Sequence, residues 1–94
     1  MILELLSRIS SILDQHQGIE VYVFGSALTR EDPADLDVLV IYQDRDELRR
    51  FLDDVDCRSG AIPIDVTAMT SGELASSGFL VRSKAVKIRE FGPT

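Results

Sequence analysis

The sequence predicts a small α/β domain, of the α+β kind, in which a mixed β-sheet is flanked by helices. Apolar residues recur at helical spacing at the start of the chain. Three short runs rich in β-branched residues follow at 19–24, 36–42 and 62–68, and polar or glycine-bearing segments separate them. With 94 residues the chain has room for one domain, 1–94, built on one modest core.

Ile2, Leu5, Leu6, Ile9, Ile12 and Leu13 fall three and four residues apart, which predicts an amphipathic helix ending near Gly18. Residues 19–24 form an almost wholly apolar run between Gly18 and Gly25, as an interior strand requires. A polar loop containing Asp32 and Pro33 leads to a second strand at 36–42. Leu36, Val38, Val40 and Tyr42 line one of its faces, and Asp37, Leu39 and Ile41 the other, which Asp35 extends. Asp44 is a helix cap, followed by Leu48, Phe51, Leu52 and Val55 on one side of a covering helix. Residues 62–68 predict a third strand, with Ile62, Ile64, Val66 and Ala68 facing inward and Asp65 and Thr67 opposite. Pro63 assigns this strand to a sheet edge or marks its start. Thr70 or Ser71 opens a short helix that Gly78 ends. The alternation at Val86, Lys87, Ile88 and Arg89 favours a closing strand over a helix in the last segment, although residues 79–90 also have partial helical spacing.

A formal charge of -6 argues against a dedicated nucleic-acid groove, whose affinity would depend on Lys and Arg. The lone Cys57 has no intramolecular disulfide partner, and no Cys/His cluster has zinc spacing, so the composition fits a reducing cytosol. Glu4 and Arg8 interrupt the apolar N-terminus, against a signal peptide or membrane span. His16 is expected to be a solvated residue at a helix end, with no role. Arg82, Lys84, Lys87 and Arg89 are expected to form a solvated face.

The chemistry lies in three carboxylates placed where strands normally carry apolar side chains. An isolated ionised carboxylate is costly to bury, so Asp35, Asp37 and Asp65 call for a cation. Asp35 and Asp37 leave the same face of one strand, roughly 6 to 7 Å apart along the backbone, and Asp65 comes from another strand. An oxygen-only ligand set selects Mg²⁺ or Mn²⁺ over zinc, and a pair of ions about 3.5 to 4 Å apart suits carboxylates that bridge or flank them. Gly25 lets the backbone approach a phosphate, and Ser26 offers a hydroxyl and an N–H to the same oxygens. The sequence has no G-x-G-x-x-G and no P-loop.

The string FGSALTREDPADLDVLV, residues 24–40, resembles the signature of the polymerase-β-like nucleotidyltransferase superfamily. In that signature one strand ends in Gly-Ser and the next opens with Asp-x-Asp between apolar residues. Ile64, Asp65 and Val66 match the apolar-Asp-apolar strand of its minimal nucleotidyltransferases, and the matching pieces span residues 19–67, about half of the chain. The resemblance implies the nucleotidyltransferase fold and two Mg²⁺ ions, with Mn²⁺ as a substitute, held by Asp35, Asp37 and Asp65. It implies transfer of a nucleotidyl group, AMP from ATP first among them, to a hydroxyl acceptor, with Gly25 and Ser26 at the triphosphate; Arg30, in this chain's own short and acidic loop, is a further expected contact to it. Stand-alone relatives of this kind serve as cytoplasmic antitoxins that modify a helical HEPN-type toxin. The competing expectation is an inactive binding module that neutralises a partner by masking it.

Overall fold

Leu6, Ile9, Ile12 and Leu13 are buried together because their spacing places them on one side of α1, Ile2–Leu13. The computed structural model describes residues 2–25, 35–58 and 63–88. After α1 come β1 (Glu20–Phe24), β2 (Leu36–Tyr42), α2 (Arg45–Arg58), β3 (Ile64–Thr70), α3 (Ser71–Ser77), α4 (Phe79–Ser83) and the two-residue β4 (Val86–Lys87). The strands form one mixed sheet in the order β3-β2-β1-β4. β2 and β3 are parallel, as the intervening crossover helix α2 permits, and the other two pairings are antiparallel. The predicted class, a small mixed sheet flanked by helices, is the one observed.

The two faces of β2 have different covers, which explains why both are apolar. Leu36, Val38 and Val40 join Val21, Val23, Ile88, Phe51, Val55 and the α1 residues in one core cluster, so α1 and α2 cover this face. Leu39 and Ile41 point the other way and are equally buried. There α3 packs on β2 and β3, the Ser77 hydroxyl contacts the Met69 sulfur, and Phe79 of α4 meets Phe24 edge-on at 5.0 Å. The expected α2 stripe is core: Phe51 and Val55 are buried, and Leu48 and Leu52 pack against the cluster from its margin.

Local chemistry sets the element ends. Of Thr70 and Ser71, Thr70 is the cap of α3: its hydroxyl accepts from the Glu73 N–H while the Glu73 carboxylate accepts from the Thr70 N–H, a complete capping box. Gly78 ends the helix in the left-handed region at φ 66°. Among the described residues no helix is long and apolar enough to cross a membrane.

Three expectations need correction. The closing strand is shorter than expected: Val86 and Lys87 pair with β1, while 79–83 take up the helical spacing in a turn stopped by Lys84 at φ 56°, and Arg89 and Glu90 lie outside the described residues. The third strand runs Ile64–Thr70, with Pro63 just before it, and its inward face is not buried. Val66 is 40% exposed and Ala68 is exposed, because β3 is an edge strand beyond the reach of α2. His16 is not solvated. It is 7% exposed, its Nε2 lies 3.1 Å from Asp54 Oδ2, and its ring stands edge-on to Phe51, so it seals the junction of α1 and α2. The basic residues Arg82, Lys84 and Lys87 are exposed as expected, with Lys87 3.3 Å from Glu20, while Arg89 lies outside the described residues.

Candidate metal centre

Three features of the backbone bring the acidic residues together. Asp35 immediately precedes β2 and Asp37 is its second residue, so the period of two sends both side chains to the α3/α4 face. Parallel pairing puts Asp37 directly opposite Asp65, the second residue of β3, and directly paired residues share a face. The Leu36 N–H donates to the Pro63 carbonyl at 3.0 Å, which fixes this register at its first rung. As a result, one carboxylate oxygen from each of Asp35, Asp37 and Asp65 lies within 4.8 Å of the others.

β1 delivers Gly25 to the same place. Phe24 pairs with Asp37, and the chain then turns at Gly25 with φ 75°, a conformation that disfavours any residue with a Cβ. A Cβ built there would run into the Asp37 carboxylate, meeting Oδ2 first, with Cγ at 3.2 Å. Gly25 is therefore required twice, by its torsion and by its neighbour. We expect Gly25→Val to displace the Asp37 carboxylate and weaken Mn²⁺ binding by at least about tenfold, a loss of the size seen when ligand-positioning groups are removed, while circular dichroism at 25 °C shows a folded chain. Unchanged Mn²⁺ affinity would show that Asp37 is not held by this bend.

The electrostatics favour a cation. Asp35 and Asp37 are partly buried and Asp65 is exposed. The Asp37 carboxyl is pushed above its ordinary value of 3.8, first by burial and then by the charges of Asp35 and Asp65. Mutual repulsion among these carboxylates is what a divalent ion would remove. The three carboxylates offer the oxygen donors that Mg²⁺ or Mn²⁺ takes and could hold such an ion, one oxygen from each.

Of the residues the sequence nominates, the structure gathers Asp35, Asp37 and Asp65 and sets Gly25 beside them, whereas Ser26 and Arg30 lie outside the described residues. The aromatic wall next to Gly25 escapes a reading of sequence. Phe24 shares the face of Asp37, and Phe79 backs it from α4, a helix hidden by the strand-like alternation that follows. No protein-family model matches the chain, and no curated protein matches it significantly.

Proposed function

We propose that the chain is a Mg²⁺-dependent nucleotidyltransferase that moves a nucleotidyl group, AMP from ATP first among them, to a hydroxyl acceptor on a partner protein. The observation that supports it is the convergence of Asp35, Asp37 and Asp65 beside the bend at Gly25. Two Mg²⁺ ions bound there would neutralise charge on the triphosphate and acidify the acceptor hydroxyl. Asp35, immediately before β2, and Asp37, on β2, would hold these ions. Asp65, the most exposed of the three, serves the acceptor side and takes the hydroxyl proton. The acceptor oxygen bonds to the α-phosphorus, the bond from that phosphorus to the bridging oxygen breaks, and pyrophosphate leaves. Gly25 leaves room for the phosphates, with Ser26 and Arg30 as their further contacts in this reading. The resemblance of residues 24–40 makes a helical HEPN-type toxin the partner, with this chain its antitoxin in the cytoplasm.

Label from ATP tests the reaction class. With Mg²⁺ and the partner protein, α-labelled ATP should transfer label to the partner while γ-labelled ATP releases labelled pyrophosphate. Transfer of the γ-label instead would mean phosphoryl transfer and defeat the proposal.

A second reading, neutralisation of a partner by masking alone, is favoured by the half-exposed Val66 on the edge strand. In that case replacing Asp35 and Asp37 with Asn leaves neutralisation intact. On the enzymatic reading the double variant fails to neutralise.

A further inference from the structure

The two edges of the sheet are built differently. The β4 edge is two residues long and carries Lys87, which pairs with Glu20 at 3.3 Å. Short length and a lysine both keep an edge from pairing with another chain. The β3 edge has neither. It runs Ile64–Thr70, pairs with β2 at every position without a bulge, and has no basic residue or proline within it.

Parallel pairing fixes which backbone groups of β3 are free. Leu36 pairs with Ile64 and donates its N–H to the Pro63 carbonyl, so Asp65, Thr67 and Met69 turn their N–H and C=O toward β2. Ile64, Val66 and Ala68 turn theirs outward, where none of these groups meets a partner among the described residues. The next outward group, the Thr70 N–H, is already given to the Glu73 carboxylate. Ile64, Val66 and Ala68 also share the α1/α2 face, and there Val66 is 40% exposed and Ala68 is exposed.

We infer that β3 pairs antiparallel with β3 of a second copy, about a two-fold axis at Val66, and so joins two sheets into one. The free groups select the register. Centred on Val66, it sets Val66 against Val66 and Ile64 against Ala68 of the second copy; each facing pair exchanges both its hydrogen bonds, and no outward group of the three residues is left over. A slip of two residues one way sets Asp65 against Asp65. A slip the other way sets Ile64 against Thr70, whose N–H is spent. In the selected register Asp65 stands opposite Thr67 of the second copy, which avoids a like-charge pair. The apolar side chains of both strands meet on the α1/α2 face, in the strip that α2 leaves bare. The chain's charge of -6 lies almost wholly elsewhere, since β3 carries Asp65 as its one charged residue. Any strand could use the free groups, but β3 itself also matches them in length, side-chain pattern and register. The inference does not rest on the catalytic reading, and a dimer of this kind withholds Val66 from a masking partner.

Sedimentation equilibrium and amide hydrogen exchange on the whole chain, without nucleotide or Mg²⁺, test it. At the concentration of an NMR sample the particle should have twice the 10.4 kDa mass of the chain, and the Ile64, Val66 and Ala68 amides should be protected. On dilution to monomer these three should lose protection, while Asp65, Thr67 and Met69, bonded to β2, keep theirs. Val66→Lys sets like charges face to face at an exposed position and should raise the dimer dissociation constant by at least about tenfold, with an unchanged circular dichroism spectrum. Ala68→Pro removes an outward donor without touching the β2 ladder and should weaken the dimer likewise. A monomer at NMR concentration, a dimer whose Val66 and Ala68 amides exchange freely, or a dimer that both variants leave intact would each overturn the inference. None of these outcomes bears on nucleotidyl transfer, so failure here is distinct from failure of the catalytic proposal.

Discussion

Asp37→Asn should lower Mg²⁺-dependent nucleotidyl transfer by about 10³-fold or more and at the same time make the metal-free protein more stable. The activity loss follows from removing the ligand proposed to serve both ions, a loss at least as large as that of a single preorganised charge stabiliser. The stability gain follows from geometry. Asp37 lies directly opposite Asp65, one oxygen of each is within 4.8 Å, and Asp35 adds a third like charge. Like charges facing across a sheet cost a fraction of a kcal/mol to about 1 kcal/mol, so the melting temperature in EDTA at pH 7 should rise by about 2 to 6 °C.

The pH dependence has a definite sign. The folded state raises the Asp37 carboxyl above its ordinary value of 3.8, so the folded chain holds that proton more tightly than the unfolded one. The penalty is absent below the unfolded value and sets in as pH rises through the folded one. The advantage of Asp37→Asn over wild type should therefore shrink as pH falls toward 3.8, and Mg²⁺ at pH 7 should stabilise wild type but not the variant. A variant less stable than wild type in EDTA would show that the carboxylates do not repel as the geometry requires.

Phe51→Ala should cost about 3 to 5 kcal/mol and lower the melting temperature by about 15 to 30 °C, the largest stability effect expected of one substitution. Phe51 is 1% exposed, joins the cluster between α2 and the sheet, and carries the edge-on contact to His16 at 5.6 Å. Truncation leaves a cavity at the place where α1, α2 and the sheet meet, and it strips His16 of its apolar neighbour. Val81→Ala is the matched control: at 83% exposed, it should change stability by less than about 0.5 kcal/mol. Comparable losses in the two variants would contradict the assigned core.

Periodicity made β1 and β2 legible because each is held by neighbours on both sides, so a strict period of two survives folding unchanged. The same period put Asp35 and Asp37 on one face, and the register with β3 brings Asp65 to them. The start of α3 was legible only to within a residue, Thr70 or Ser71, and the structure resolves it through the reciprocal contact of Thr70 with Glu73. What sequence could not supply was the identity of each cover. Val66 and Ala68 carry the right alternation for a buried face, but α2 is spent on β2 and leaves them bare. His16 looked solvated because its neighbours Asp14, Gln15 and Gln17 are polar, whereas the partner that buries it, Asp54, is 38 residues away. Helix α4 was obscured by its brevity, five residues bracketed by left-handed Gly78 and Lys84.

Amide spectra recorded while Mn²⁺ is added test most directly whether these carboxylates share a divalent cation. The paramagnetic ion should first bleach Gly25, Asp35, Asp37 and Asp65, spare Tyr42 at the far end of β2, about 17 Å along the strand, and lose its effect in the double variant Asp37→Asn/Asp65→Asn. Bleaching that centres on the acidic surface of α2 around Asp53 and Asp54, or that is the same in the double variant, would contradict a shared site.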